Sequence, residues 1–254
     1  MHLILIGSLA SLIAGLATGV GALPAIFFPK VSSKALDTML GFAAGVMLAA
    51  TSFSLVIPSI QRGNDIKAGW GIWICVAGML IGAICLDRAD KWLPHEHFFK
   101  GREGPSSSLK KVWLFIIAIT IHNFPEGLAV GVGFGTGDLK AGTTLAIGIG
   151  LQNMPEGLAV ALPLLREKYS LGKALLIATL TGLVEPIGGL LGVAGVQIAK
   201  PVLPLGMAFA AGAMLFVISD EIIPETHSRG NERLATFGVM VGFVVMMALD
   251  NLFA

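Results

Sequence analysis

An all-α polytopic integral membrane protein with eight transmembrane helices is the fold this sequence predicts, and three observations predict it. Only 13% of the 254 residues are charged, against about 25% in soluble domains. Apolar residues make up 55% of the chain. They fall in runs long enough to cross about 30 Å of hydrocarbon. With those runs set aside only short loops remain, so residues 1–254 read as a single transmembrane domain without a soluble part to host an enzyme. A net charge of +1 supplies no basic field for nucleic acid. Cys75 and Cys85 share one apolar run and fall on different helix faces, as packing or lipid-facing residues.

The apolar runs lie near residues 3–28, 35–58, 68–86, 111–134, 142–165, 171–199, 202–219 and 233–253. The first has no Lys or Arg before it and is too long for a signal-peptide core, so it counts as the first membrane helix. Thirteen of the 17 Lys and Arg fall in loops on one side, and only Arg62, Lys67, Lys140 and Lys200 on the other. The positive-inside rule then places both termini outside the cytoplasm and residues 87–111 within it, in the plasma (inner) membrane. That stretch, rich in charge with Pro, Gly and three serines, reads as a mobile cytoplasmic loop. Its His95 and His97 can catch a divalent metal loosely or serve as ordinary hydrated residues. Glycines four apart within the spans, such as Gly15 and Gly19, permit close helix contact.

The fourth run contains Ile121-His122-Asn123-Phe124-Pro125-Glu126-Gly127, and the fifth Leu151-Gln152-Asn153-Met154-Pro155-Glu156-Gly157, at an offset of 30 residues. Both cassettes fall near mid-run, and adjacent, oppositely directed helices bring them to one level, as a shared site requires. The sixth run adds Glu185-Pro186 near its centre. A carboxylate at a helix centre costs roughly 2.5–3.5 kcal/mol on insertion scales. Runs four to six have no central Lys or Arg to offset three of them. Protonated carboxyls that merely tie helices together are one alternative, and a cation site is the other. At about 100° per residue, Glu126 lies between His122 and Asn123 on one face, and Glu156 between Gln152 and Asn153. Each glutamate can therefore touch two adjoining cations. Pro125 and Pro155 withhold a backbone donor and free a carbonyl one turn earlier. One imidazole, three carboxylates and three amides suit Zn²⁺, Fe²⁺, Mn²⁺ or Cd²⁺, whereas copper(I) calls for Cys or Met.

The two cassettes resemble the signature of the ZIP family of divalent-metal transporters, prokaryotic type. The resemblance extends to the number of spans, the outside termini, the loop between helices three and four, the Glu-Pro of helix six and Ile223-Pro224-Glu225-Thr226-His227. It implies transport of Zn²⁺, and of Fe²⁺, Cd²⁺ or Mn²⁺, as substrate into the cytosol by alternating access. The route is a binuclear midplane site on helices four, five and six, formed by His122, Asn123, Glu126, Gln152, Asn153, Glu156 and Glu185. It also implies a 3+2+3 arrangement in which helices one to three are related by inversion to six to eight. The chain departs from the family pattern at Gln152, where many relatives carry His, and at Asn153, where some carry Asp, so its second site is less anionic. The usual His-rich loop is reduced to His95 and His97. Asp220, Glu221, Glu225 and His227 are release-path candidates or a solvated helix end. Asp250 is an entry candidate, and Asp87 and Asp90 can attract cations on the inner side. The expected partners are metal ions and the lipid bilayer, with a homodimer possible. The rival readings are an intramembrane metal-dependent hydrolase, for which the chain lacks His-Glu-x-x-His and a second buried histidine, and a metal-selective channel.

Overall fold

The computed structural model describes residues 2–28, 31–97, 101–103, 109–198 and 200–253, without the side chains of 96, 97, 101–103, 111, 200 and 253. Among the described residues eight helices are long and apolar enough to cross a membrane: α1 (His2–Ile26), α2 (Ser33–Ile66), α3 (Gly71–Trp92), α4 (Val112–Gly135), α5 (Leu139–Arg166), α6 (Leu171–Ile198), α7 (Leu203–Thr226) and α8 (Glu232–Leu252). Side-chain oxygens fix several of their starts by accepting orphan backbone N–H groups. Ser32 accepts from Ala35, Asp138 from Ala141 and Ser170 from Lys173. On α1 the large side chains Leu5, Leu9, Ile13 and Val20 point outward, and the small Gly7, Ser11, Ala14, Gly15 and Thr18 point inward. That inverted amphipathicity is expected where the solvent is lipid and close backbone approach replaces burial as the reason to associate.

Two groups of helices result. In one, α1 runs along α5 and α4 along α6; in the other, α2 runs along α8 and α3 along α7. The groups meet where α2 touches α5 and α4 touches α7. The cassette glycines set the tightest contacts of the first group. A β-carbon on Gly127 would overlap the Glu185 carbonyl oxygen, and one on Gly157 the Thr18 carbonyl oxygen. Only glycine lets α6 and α1 come this close to the two cassette helices.

Beside α1, whose last turn, Leu23–Ile26, is 3-10, three helices depart from regular α geometry. α6 is α-helical over Leu171–Gly182, breaks, and resumes at Glu185–Ile198. The break makes Glu185 the first residue of a half-helix and places Pro186 in a first turn, where a missing N–H does no harm. α2 and α7 carry π-helical stretches, Ala50–Val56 and Ile218–Ile222, each followed directly by Ile-Pro. Such stretches tend to mark functional segments. They explain two differences from the expected boundaries: α2 extends to Ile66 and α7 to Thr226, because a local π turn carries the helix past proline and, in α7, past Asp220 and Glu221.

The 87–111 stretch also differs from a plain loop. α3 continues to Trp92, with Lys91 paired to Asp87 at 2.7 Å, an i,i+4 contact that favours helix. Beyond it, β1 (His95–His97) pairs antiparallel with β2 (Gly101–Glu103) in a two-stranded hairpin whose first strand packs on α4. It is the one sheet among the described residues.

Candidate metal site

α4 and α5 run antiparallel, and this decides which cassette residues face each other. Gln152 comes level with Glu126, donating Nε2 to its Oε1 at 2.5 Å. Asn153 donates Nδ2 to Glu185 Oε1 at 2.6 Å and to the Ala14 carbonyl at 2.8 Å, tying α5 to α6 and α1. Glu156 lies within electrostatic reach of His122, and Glu126 of both Glu156 and Glu185. Thus all seven cassette and Glu-Pro residues expected at the site are buried in one region of the bundle.

That region is rich in unused acceptors. Asn123 Oδ1, Glu126 Oε2, Gln152 Oε1, Asn153 Oδ1, both oxygens of Glu156 and Glu185 Oε2 have no hydrogen-bond partner among the described residues. Each buried polar atom without a partner costs about 1–3 kcal/mol. Hydrogen bonds among the described residues leave these oxygens unused, and either protons or a cation supplied from outside would satisfy them. Among the described residues no three His, Cys, Asp or Glu side chains yet converge on one point as a metal requires. The amide nitrogens of Gln152 and Asn153 stand against two of the carboxylates instead. Rotating either amide by half a turn exchanges its donor for the unused oxygen.

Above and below the site the bundle differs. Toward the turn between α4 and α5, Val130, Phe134, Leu145 and Ile149 pack with Ala14, Val46, Met214 and Met246 into one apolar cluster. Toward the other end a cavity of about 210 Å³ runs from His122, Glu156 and Glu221 to Ser33, Arg166, Glu225 and Arg229. The site is thus open to one end, the one that carries most of the Lys and Arg.

The π stretch of α7 aims Glu221 into this cavity, where its Oε2 lies 2.5 Å from His122 Nε2. Asp90, buried near the end of α3, lies within electrostatic reach of the same histidine. Glu225 lines the cavity and pairs with Arg229. Asp220 instead lines a separate groove between α3 and α7. His227 holds the turn after α7, with its Nδ1 2.9 Å from the Ile223 carbonyl and its Nε2 3.0 Å from Thr236 Oγ1. Asp250, half-buried late in α8, accepts from Ser54 Oγ at 2.7 Å. His95, expected in a hydrated loop, is instead buried and donates Nδ1 to the Leu93 carbonyl at 2.8 Å, so a second buried histidine does exist, outside the membrane spans; the side chain of His97 lies outside the described residues. Arg229 and Arg166 also line the cavity, which nothing in the sequence signals. Their position at helix ends marked them only as positive-side charges.

The fold and site define a polytopic membrane protein with a polar, carboxylate-rich midpoint. Residues 94–250 match the family model described as ZIP Zinc transporter. The chain is 46% identical to zinc transporter GufA of Myxococcus xanthus over 96% of this chain and 97% of that protein. It is 46% identical to zinc transporter ZIPB of Bordetella bronchiseptica over 92% and 77%, and 36% identical to human zinc transporter ZIP11 over 92% and 93%. The chain belongs to the ZIP family of zinc transporters, as the two cassettes had indicated.

Proposed function

We propose that the protein carries divalent metal ions, Zn²⁺ first among them and Fe²⁺, Cd²⁺ or Mn²⁺ with them, across the plasma membrane into the cytosol. The observation that carries this reading is the set of buried oxygens on Asn123, Glu126, Gln152, Asn153, Glu156 and Glu185 that have no hydrogen-bond partner among the described residues, with no Lys or Arg in the central portions of α4–α6. His122 supplies the nitrogen donor. Carboxylate, amide and imidazole together suit a hard or borderline divalent ion. His122, Glu126, Glu156 and Glu185 form the stronger position, and Asn123 and Asn153 with the shared glutamates the weaker. Metal is the substrate here and no bond of it is broken, so the protein is a transporter and not an enzyme.

The helix pairing supports an inverted 3+2+3 arrangement. If α1, α2 and α3 correspond to α6, α7 and α8, and α4 to α5, the α1–α5 pair maps onto α6–α4 and the α2–α8 pair onto α7–α3. These are the pairs observed. The π stretches of α2 and α7 also map onto each other. With the termini outside, the cavity ending at Arg166 and Arg229 opens to the cytosol, and the apolar cluster beside Val130 and Leu145 closes the outer route. Alternating access then consists of movement of the α1/α4/α5/α6 group against the α2/α3/α7/α8 group. Glu221, Asp90 and Glu225 line release, and Asp250 with Ser54 lies on the entry side.

Stopped-flow zinc uptake into proteoliposomes tests the reading. Flux that saturates with zinc supports a carrier. Flux that rises linearly without saturation supports a channel, and no zinc flux removes the proposal.

A further inference from the structure

At the mouth of the cavity one guanidinium holds two carboxylates. Arg229 Nη1 lies 2.9 Å from Asp37 Oδ1, and Nη2 is hydrogen-bonded to Glu225 Oε1. Asp37, at the start of α2, is fully buried, and its second oxygen accepts from Asn231 Nδ2 at 2.8 Å. Arg229 and Glu225 line the same cavity as His122, Glu156 and Glu221. The arrangement therefore joins the α7–α8 turn to α2 at the point where the cavity ends.

A guanidinium bridging two carboxylates stands where a divalent cation bound by both would stand. Without it, buried Asp37 keeps the Asn231 amide but loses its guanidinium, as does Glu225, and two carboxylates stand near each other. Such a pair either takes up a cation or remains strongly destabilising. We propose that Arg229 is a release-determining residue: it occupies Asp37 and Glu225 as ion pairs, so that a metal ion descending from His122 and Glu221 meets carboxylates that are already engaged and leaves, rather than a second chelating position that would retain it. This rests on the reading of the cavity as the release route.

A purely structural clasp would have a different signature. Arg229→Gln keeps a donor for Asp37 but removes the charge. Equilibrium dialysis of the purified variant with Zn²⁺ alone should show one more bound ion per chain than wild type. Maximal uptake in proteoliposomes should fall by about tenfold, the scale on which outer-shell changes alter metal affinity. Adding Glu225→Gln should return the stoichiometry to the wild-type value. Unchanged stoichiometry in Arg229→Gln overturns the proposal, as does an extra ion that persists in the double variant. If Arg229→Gln does not fold, Arg229→Lys decides. It keeps the charge and loses the fork, so uptake within about twofold of wild type is expected, and a tenfold loss means that the clasp acts through geometry alone. Wild-type vesicles run alongside keep the two readings apart. Absence of zinc uptake by wild type removes the transport reading, whereas normal wild-type uptake beside an unaltered Arg229→Gln removes only this inference.

Discussion

Gln152 donates to Glu126 across the α4–α5 interface at 2.5 Å, so the first polar residue of one cassette faces the glutamate of the other. This reciprocity follows from the antiparallel run of two helices bearing the same sequence pattern. It ties the fifth-helix amide to the carboxylate that stands between His122 and Asn123 on the α4 face.

Glu126→Gln tests the sharing role of that carboxylate. Gln still accepts from Gln152 and occupies the same volume, so α4 should insert at least as readily as in wild type. Zinc stoichiometry should fall at both positions, whereas His122→Ala should weaken mainly the first and Asn123→Ala mainly the second. Dialysis of the three purified variants measures this. Loss of one ion in Glu126→Gln beside loss of both in His122→Ala would move the centre of the site to the histidine.

Asn153→Asp removes the N–H that now binds Glu185 and the Ala14 carbonyl. It sets a fourth carboxylate against them. The metal-free variant should unfold at lower temperature than wild type, and zinc should raise its midpoint by more, because the ion then relieves repulsion as well as filling the site. Maximal flux should fall while apparent affinity stays equal or rises. Weakened affinity with unchanged maximal flux would show that Asn153 does not face the transported ion.

Gly127→Ala places a methyl group against the Glu185 carbonyl, a backbone atom that cannot rotate away. Forced repacking of this kind costs about 1–3 kcal/mol. A drop in thermal stability and a loss of zinc binding together are expected. The matched control is Gly172→Ala on α6, where a β-carbon meets nothing within 4 Å; its stability should be equal or higher. Equal behaviour of the two variants in a melting assay would contradict the close α4–α6 contact.

Much of this was legible in the sequence because lipid imposes a strong rule: polar residues at mid-run are costly, so the cassettes and Glu185 stood out against their surroundings. The helix count was legible for the same reason. The ends of α2 and α7 were not. The second apolar run ends at Pro58 and the seventh at 219, just before Asp220 and Glu221, and nothing in composition announces that a π turn will carry either helix onward. For Glu221 the sequence left a release-path ligand and a solvated helix end equally open, because nothing in it announces the π stretch that turns this carboxylate toward His122. Pairing of Arg229 with Asp37 spans 192 residues and depends on tertiary placement alone.

If a divalent ion binds at mid-bundle between α4, α5 and α6, anomalous diffraction from crystals grown with Cd²⁺ locates it there. A peak within coordination distance of His122, Glu126, Glu156 and Glu185, with the amides of Gln152 and Asn153 turned to present oxygen, is the predicted result. Anomalous density confined to the 87–111 stretch, with the Gln152–Glu126 and Asn153–Glu185 hydrogen bonds intact, would contradict it.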